Sequence, residues 1–304
     1  MATPMTLAQF GDLALPDFRK IFHESYDSVP SMLAELYTFE TSSKEVEKDS
    51  AVGTLPDWNQ FSGSLAYESM SQGFDVNYTH LEFAQGVQIQ RKLFDDDQYR
   101  IMNTRPAGLG RGAGRTREGH GAQVFNNAFS LDSFFSVHSA ATPLCTNSQL
   151  TTSGASTTTG FDNLVTTALS ATSLATAVIN FQDLRGDQAE RTALVPDTIL
   201  IPPALYETAY EIIKSQGKVD TAENNANVHF GQYKIIVWKY LTDTNNWFLI
   251  DSTEMAERLV WFNRIPLEFG HINDFDTFNA KYRGYMRYSL GWSDWRWIIG
   301  AQVS

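Results

Sequence analysis

From Val52 to Tyr99 the chain reads VGTLPDWNQFSGSLAYESMSQGFDVNYTHLEFAQGVQIQRKLFDDDQY. Trp58, Phe61, Tyr67 and Phe74 are spread through a turn-rich stretch of Gly and Ser that lacks any sustained period. Large aromatics in such a segment need a surface to cover, and a soluble monomer has little use for them there. An extended hairpin laid over a second copy gives Trp58, Phe61, Tyr67, Phe74 and Tyr78 that surface. Leu81, Phe83, Val87 and Ile89 then fall on one side of an alternating strand.

The length of 304 residues allows one large domain or two to three smaller ones. A hydrophobic share of 42% supports a core and argues against global disorder. The formal net charge of −12 argues against a protein whose main task is gripping duplex DNA through its phosphates. Cys145 is the single cysteine, so an intrachain disulfide and a thiolate zinc cluster are both excluded. The N-terminus has no basic region followed by an apolar run, and no window approaches ~18 consecutive apolar residues.

The remaining segments alternate irregularly between helix and strand, which predicts an α+β fold and not a doubly wound sheet. One helix is expected after Leu15, with Phe18, Ile21, Phe22 and Tyr26 on its stripe. A second is expected after Ser28, carrying Met32, Leu33, Leu36 and Tyr37. Ser42 to Ser50 reads as an exposed strand or connector, and Asp95 as a helix cap paired with Gln98. Residues 142–160 read as a Ser/Thr/Gly loop. Helices are expected after Asp162, from Ser170 and from Pro203, and a buried strand over Asp197–Pro202. Tyr233–Leu241 and WFLID are expected to pair antiparallel across the turn TDTNN. At the C-terminus, Phe278, Ala280, Tyr282, Gly284, Met286, Tyr288 and Leu290 share one strand face; Lys281, Arg283, Tyr285 and Arg287 share the other.

The search for chemistry returns little. No phosphate-loop or GxGxxG register fits the glycines of residues 108–121. Arg105, Arg111, Arg115 and Arg117, interleaved with those glycines, could track a nucleic-acid backbone or form a basic helix face. The histidines, His23, His80, His120, His138, His229 and His271, never take HExxH or HxH spacing. Asp95, Asp96 and Asp97 are adjacent, and neighbours on a helix cannot converge on one ion. No GxSxG elbow exists, and Cys145 has no local catalytic signature. No catalytic residue, metal or cofactor is expected. The aromatics leave open a carbohydrate-binding or carbohydrate-active protein.

The blocks HSAATPLCT, GFDNLVTTALSATSLATA, VPDTILIPPALYETAYEII, YLTDTNNWFLID and YSLGWSDWRWIIG follow the aromatic segment in order. This layout resembles the major head subunits of Mu-like phages, which share the Hong Kong 97 capsid fold. The resemblance implies residues 1–51 as an N-terminal arm with helices, and 52–87 as an extended loop with its return strand. It further implies 88–140 as a peripheral domain with a spine helix, 141–261 as an axial domain, and 262–304 as the peripheral return strands. An ordered start near Met1 would leave no room for a long cleavable N-terminal scaffold segment. Six glycines, Gly108, Gly110, Gly112, Gly114, Gly119 and Gly121, fall within the spine. Each costs roughly 0.5–1 kcal/mol against Ala, so either neighbouring subunits hold this helix or it breaks near Pro106.

By the same resemblance, copies would close into hexamers and pentamers of an icosahedral head enclosing double-stranded DNA, in a virion assembled in the host cytoplasm. Portal, scaffold and decoration proteins would be further partners, with no membrane. Arg111, Arg115, Arg117, Lys281, Arg283 and Arg287 would join the loop aromatics as subunit contacts. An encapsulin-type compartment is the alternative container.

Overall fold

The computed structural model describes residues 11–303 except 56, 59, 62, 66, 68–71, 91, 94–95, 97–98, 132–138, 218–225 and 275–278. Asp95, Gln98 and Phe278 therefore lie outside the described residues. The chain opens with helix α1 (Gly11–Asp27), which starts earlier than Pro16, and a single turn α2 (Leu33–Leu36). Strand β1 (Thr38–Thr41) leads to a two-stranded ribbon of β2 (Val46–Val52) and β3 (Gln72–Thr79). Strand β4 (Leu81–Gln90) and the long helix α3 (Tyr99–Asn126) follow.

A four-stranded sheet has the order β1-β9-β10-β4, with β9 spanning Leu259–Asn273 and β10 spanning Asn279–Trp292. β1 runs parallel to β9, while β10 is antiparallel to both β9 and β4. The alternation in β10 works as its pattern predicts: Tyr282, Met286 and Tyr288 are buried beneath the helices. Phe18 of α1 meets Tyr282 edge-on at 5.4 Å, and Phe22 meets Phe269 at 5.0 Å. Ile89 and Met102 close this smaller core with Phe18.

The spine helix is continuous, with Pro106 and all six glycines inside its 28 residues. Its own chain explains half of those glycines. A Cβ on Gly110 would overlap the Phe22 carbonyl, and one on Gly121 would overlap Leu33. On Gly114 it would lie 2.8 Å from Val29. Gly110, Gly114 and Gly121 thus form the row against which α1 and the following segment lie. Close backbone packing offsets the weak helix propensity.

A second sheet, β5-β11-β8-β6-β7, carries the main core. Its strands are β5 (Leu164–Val165), β6 (Thr198–Ile201), β7 (Lys234–Val237), β8 (Trp247–Ile250) and β11 (Ile298–Ala301). Helices α4 (Ala171–Gln182) and α5 (Tyr206–Lys214) belong to this unit, and α6 (Ser252–Arg258) returns the chain to β9. Ser170 caps α4 in a reciprocal pair with Ser173, and the Asp251 carboxylate caps α6.

Several local expectations change here. The segment after Asp162 is the short strand β5, because the buried Asn163 amide donates to the carbonyls of Leu144 (2.8 Å) and Ile298 (3.1 Å). β7 and β8 do not form a hairpin: β6 lies between them, parallel to β7 and antiparallel to β8. All four residues of β6 are buried, so it takes the centre of the sheet. The return strand of the ribbon is β3, whereas 81–90 belongs to the four-stranded sheet. Finally, β11 sits in the second sheet, so the chain crosses between sheets again after residue 292.

Candidate subunit-contact site

The ribbon leaves the body at Ser42 and returns at His80. Those two residues are joined: His80 Nε2 lies 3.0 Å from Ser42 Oγ. On the other side of the ring, Ser289 Oγ of β10 lies 2.9 Å from Nδ1. The Ser42 hydroxyl donates to Glu47 at 2.7 Å, and Glu47 also takes Lys44 at 2.8 Å. Ser42 therefore accepts from Nε2–H, and Nδ1 accepts from Ser289. One buried imidazole holds both legs of the ribbon to the sheet. Burial, with Arg287 next in weight, lowers its pKa; Glu47 acts in the opposite sense.

Beyond this root the expected contact residues divide. Trp58 is 97% exposed, Tyr67 90% and Phe61 68%, all at the far end of the ribbon. Phe74 is half-buried on β3. Tyr78 is fully buried against Phe262 (5.0 Å between rings), so its assignment as a subunit contact is corrected to an internal one. Its phenol has no hydrogen-bond partner among the described residues, and burial raises its pKa.

The basic residues divide too. Arg111 and Arg115 are exposed on α3. Arg117 turns inward, donating to the Tyr26 hydroxyl, with its guanidinium 5.0 Å from the Trp261 ring and 5.7 Å from Phe39. It is half-buried with these partners in its own chain. Lys281 pairs with Asp274 at 2.5 Å, and Arg287 lies 3.8 Å from Glu82. Both already have partners in their own chain. Arg283 is exposed.

Two buried polar residues that join the elements leave no mark in the sequence. Glu118 is buried on α3, accepting from Trp238 Nε1 (3.0 Å) and the Met32 amide (3.3 Å). It ties the spine to the second sheet and to the N-terminal segment. His80 sits between two polar or apolar strand residues with no motif around it.

Among the described residues no group of His, Cys, Asp and Glu could hold a metal ion, and no helix is long and apolar enough to cross a membrane. Cys145 is buried under β11, and burial pushes its thiol pKa up, away from reactivity. What the surface offers is a stapled ribbon with an aromatic tip and a basic helix.

Comparison with known proteins bears on that arrangement. A family described as phage capsid protein matches residues 73–301. A search of curated proteins returns no match. The fold is similar to the capsid of bacteriophage JBD30, at TM-score 0.57 and 13% identity, covering 80% of this chain and 100% of that one. It is similar to the mature capsid of bacteriophage PhiM1, at TM-score 0.57 and 12% identity, covering 91% and 88%. A virus-like particle from Pyrococcus furiosus matches at TM-score 0.53 and 10% identity, covering 94% and 98%. Two sheets, a spine helix packed on the first, and a projecting ribbon make this the Hong Kong 97-type capsid fold, and the chain belongs to the phage capsid protein family.

Proposed function

We propose that this chain is the major subunit of an icosahedral phage head, closing into hexamers and pentamers around double-stranded DNA. The observation that carries this reading is the ribbon: fixed at its root by His80, it presents Trp58 and Tyr67 almost wholly, and Phe61 mostly, to solvent. Exposed aromatics of that kind are characteristic of interfaces. The unit bearing α3 and the four-stranded sheet is the peripheral domain on this reading, and the second sheet with α4 and α5 is the axial domain. The ribbon of one subunit reaches the basic spine region of the next. Residues 45–75 hold six acids and one lysine, against five arginines and one glutamate on α3. Opposite charge favours that docking and disfavours ribbon on ribbon.

Ring closure repeats each heterologous contact, so modest individual contacts accumulate. The net charge of −12 suits a wall that encloses DNA by volume without holding its phosphates. Portal, scaffold and decoration proteins complete the head, and assembly takes place in the host cytoplasm. No chemical step is assigned to the chain.

A second reading has one observation behind it, the likeness to the Pyrococcus virus-like particle. There the shell would enclose a protein cargo. The test is expression of the full chain with its neighbouring genes, followed by electron microscopy and nuclease-protection analysis of the particles. Closed heads with protected genome-length DNA are expected. Particles that hold only protein would favour the compartment, and a strictly monomeric chain at high concentration would exclude both. Replacing residues 54–71 with a short Gly-Ser turn should leave a folded subunit that builds no closed heads. Normal heads from that variant would remove the ribbon from assembly.

A further inference from the structure

The His80 root is not the ribbon's only tie to the rest of its own chain. Asp75 of β3 lies five residues further out, roughly 17 Å along the strand. Its amide donates to Ser139 Oγ at 3.1 Å, and its carbonyl accepts from the Ser139 amide at 2.8 Å. Both backbone groups therefore turn away from β2, where Ser50 stands opposite. The Asp75 carboxylate takes no part, because Gln72 holds it at 2.7 Å with Ser50 beside it. Ser139 grips the strand through one amide and one hydroxyl, and neither group titrates.

This tie leads to the second sheet. After Ser139 the chain turns through Ala141 at φ 51°, a conformation that alanine rarely adopts. Thr142 then donates to Gln149 Oε1 at 3.3 Å. The buried Gln149 amide donates in turn to the Leu144 carbonyl and to Asn163 Oδ1, both at 3.1 Å. Leu144 and Cys145 are buried in the main core. A strained residue between an exposed serine and an anchored loop marks that serine as deliberately placed. The ribbon is thus mounted on both units. His80 and Ser289 fix its root to the four-stranded sheet, and Ser139 ties it to the loop anchored in the second. A strand fixed at one point can pivot, and a second point of attachment removes that freedom.

We propose that Ser139 is a positioning residue for assembly, a strap that holds the ribbon of an unassembled subunit in the direction from which a second copy receives it. The strap rests on the head-subunit reading, but it acts within one chain, before two copies meet. Preorganisation of this kind lowers the ordering cost of association. With the strap broken, the ribbon swings about His80 and fills the receptive direction for only part of the time. The apparent affinity between subunits then falls by that fraction.

The experiment uses the full chain with Ser139→Pro, which deletes the amide donor and the hydroxyl together, and Ser139→Thr, which keeps both. In the unassembled chain, hydrogen exchange should show the Asp75 amide of Ser139→Pro losing protection. Val76 and Tyr78, whose backbones face β2, should keep theirs. Light scattering against concentration should place the threshold for particle formation at least about tenfold higher for Ser139→Pro and unchanged for Ser139→Thr. A normal threshold with the Asp75 amide unprotected overturns the proposal, and so does an Asp75 amide that stays protected. Should the proline disturb the near-ultraviolet circular dichroism of the folded chain, Ser139→Ala decides by the same two readouts. It removes the hydroxyl alone, so a rise of about threefold is expected, and no rise overturns the strap. The variant lacking residues 54–71 separates the two ideas. If it fails to assemble while the Ser139 variants assemble normally, the ribbon reading stands and the strap falls; if it assembles normally, both fall.

Discussion

Gly110 and Gly119 have the same side chain and opposite consequences. A methyl at Gly110 collides with the backbone of α1, where neither partner can yield cheaply. Gly110→Ala should therefore destabilise the isolated subunit by roughly 1–3 kcal/mol, the range for overpacking. Gly119→Ala meets open space and should stabilise it by roughly 0.5–1 kcal/mol through helix propensity. Urea denaturation of the unassembled chain measures both, and the opposite signs are the test. Glu118 is the other residue-scale lever. Glu118→Ala leaves the Trp238 indole and the Met32 amide buried without an acceptor, a loss of roughly 2–4 kcal/mol. Glu118→Gln keeps an acceptor and should recover much of that in the same measurement.

Among the elements, the ribbon is rooted on a titratable side chain. His80 is buried between Ser42 and Ser289, with Arg287 and Arg264 opposing its protonation and Glu47, itself paired to Lys44, favouring it. Its folded pKa is depressed, so the unfolded chain binds the proton more readily. The stabilisation is complete above the ordinary value of 6.5 and is lost as pH falls through it toward the lower folded value. His120, depressed by burial, adds in the same direction. Hydrogen exchange should show β3 amides losing protection before the second sheet does as pH falls below about 6.5, and His80→Asn should flatten that profile. β4 and β10 were legible from their alternation, whereas β9 was not, and α3 entered only through the resemblance because six glycines blur its period. The order β8-β6-β7 was not legible either, because two strands joined by a short turn read as a hairpin unless a third claims the space between them.

For the whole molecule, the surface proposed for assembly is separate from the surfaces that fold the chain. The core of the second sheet and the α1–α3 packing are complete within one chain. The aromatic tip contributes nothing to them. Trp58→Ser with Tyr67→Ser should therefore leave the melting temperature of the unassembled subunit unchanged while particle yield collapses, as scanning calorimetry and sedimentation will show. Which of the candidate contacts stand exposed was half legible. Composition singled out Trp58, Phe61 and Tyr67, since large aromatics among Gly and Ser need a second surface. It also singled out Tyr78, which is buried, and Arg117, which is half-buried over Trp261, because residue type carries no record of which face a neighbouring element will cover.

Local periodicity, charge and the aromatic loop by themselves determined an α+β chain with an extended aromatic segment and a basic, glycine-rich stretch, because those properties act over a few residues. Tertiary structure alone decided that Gly110, Gly114 and Gly121 pack against α1, Val29 and α2 while Gly108, Gly112 and Gly119 stay open. It also set β4 at an edge and placed His80 between two serines 38 and 209 residues away. Those outcomes depend on which distant segments arrive to fill the space, and contact between distant segments is set by packing, which no short window of sequence contains.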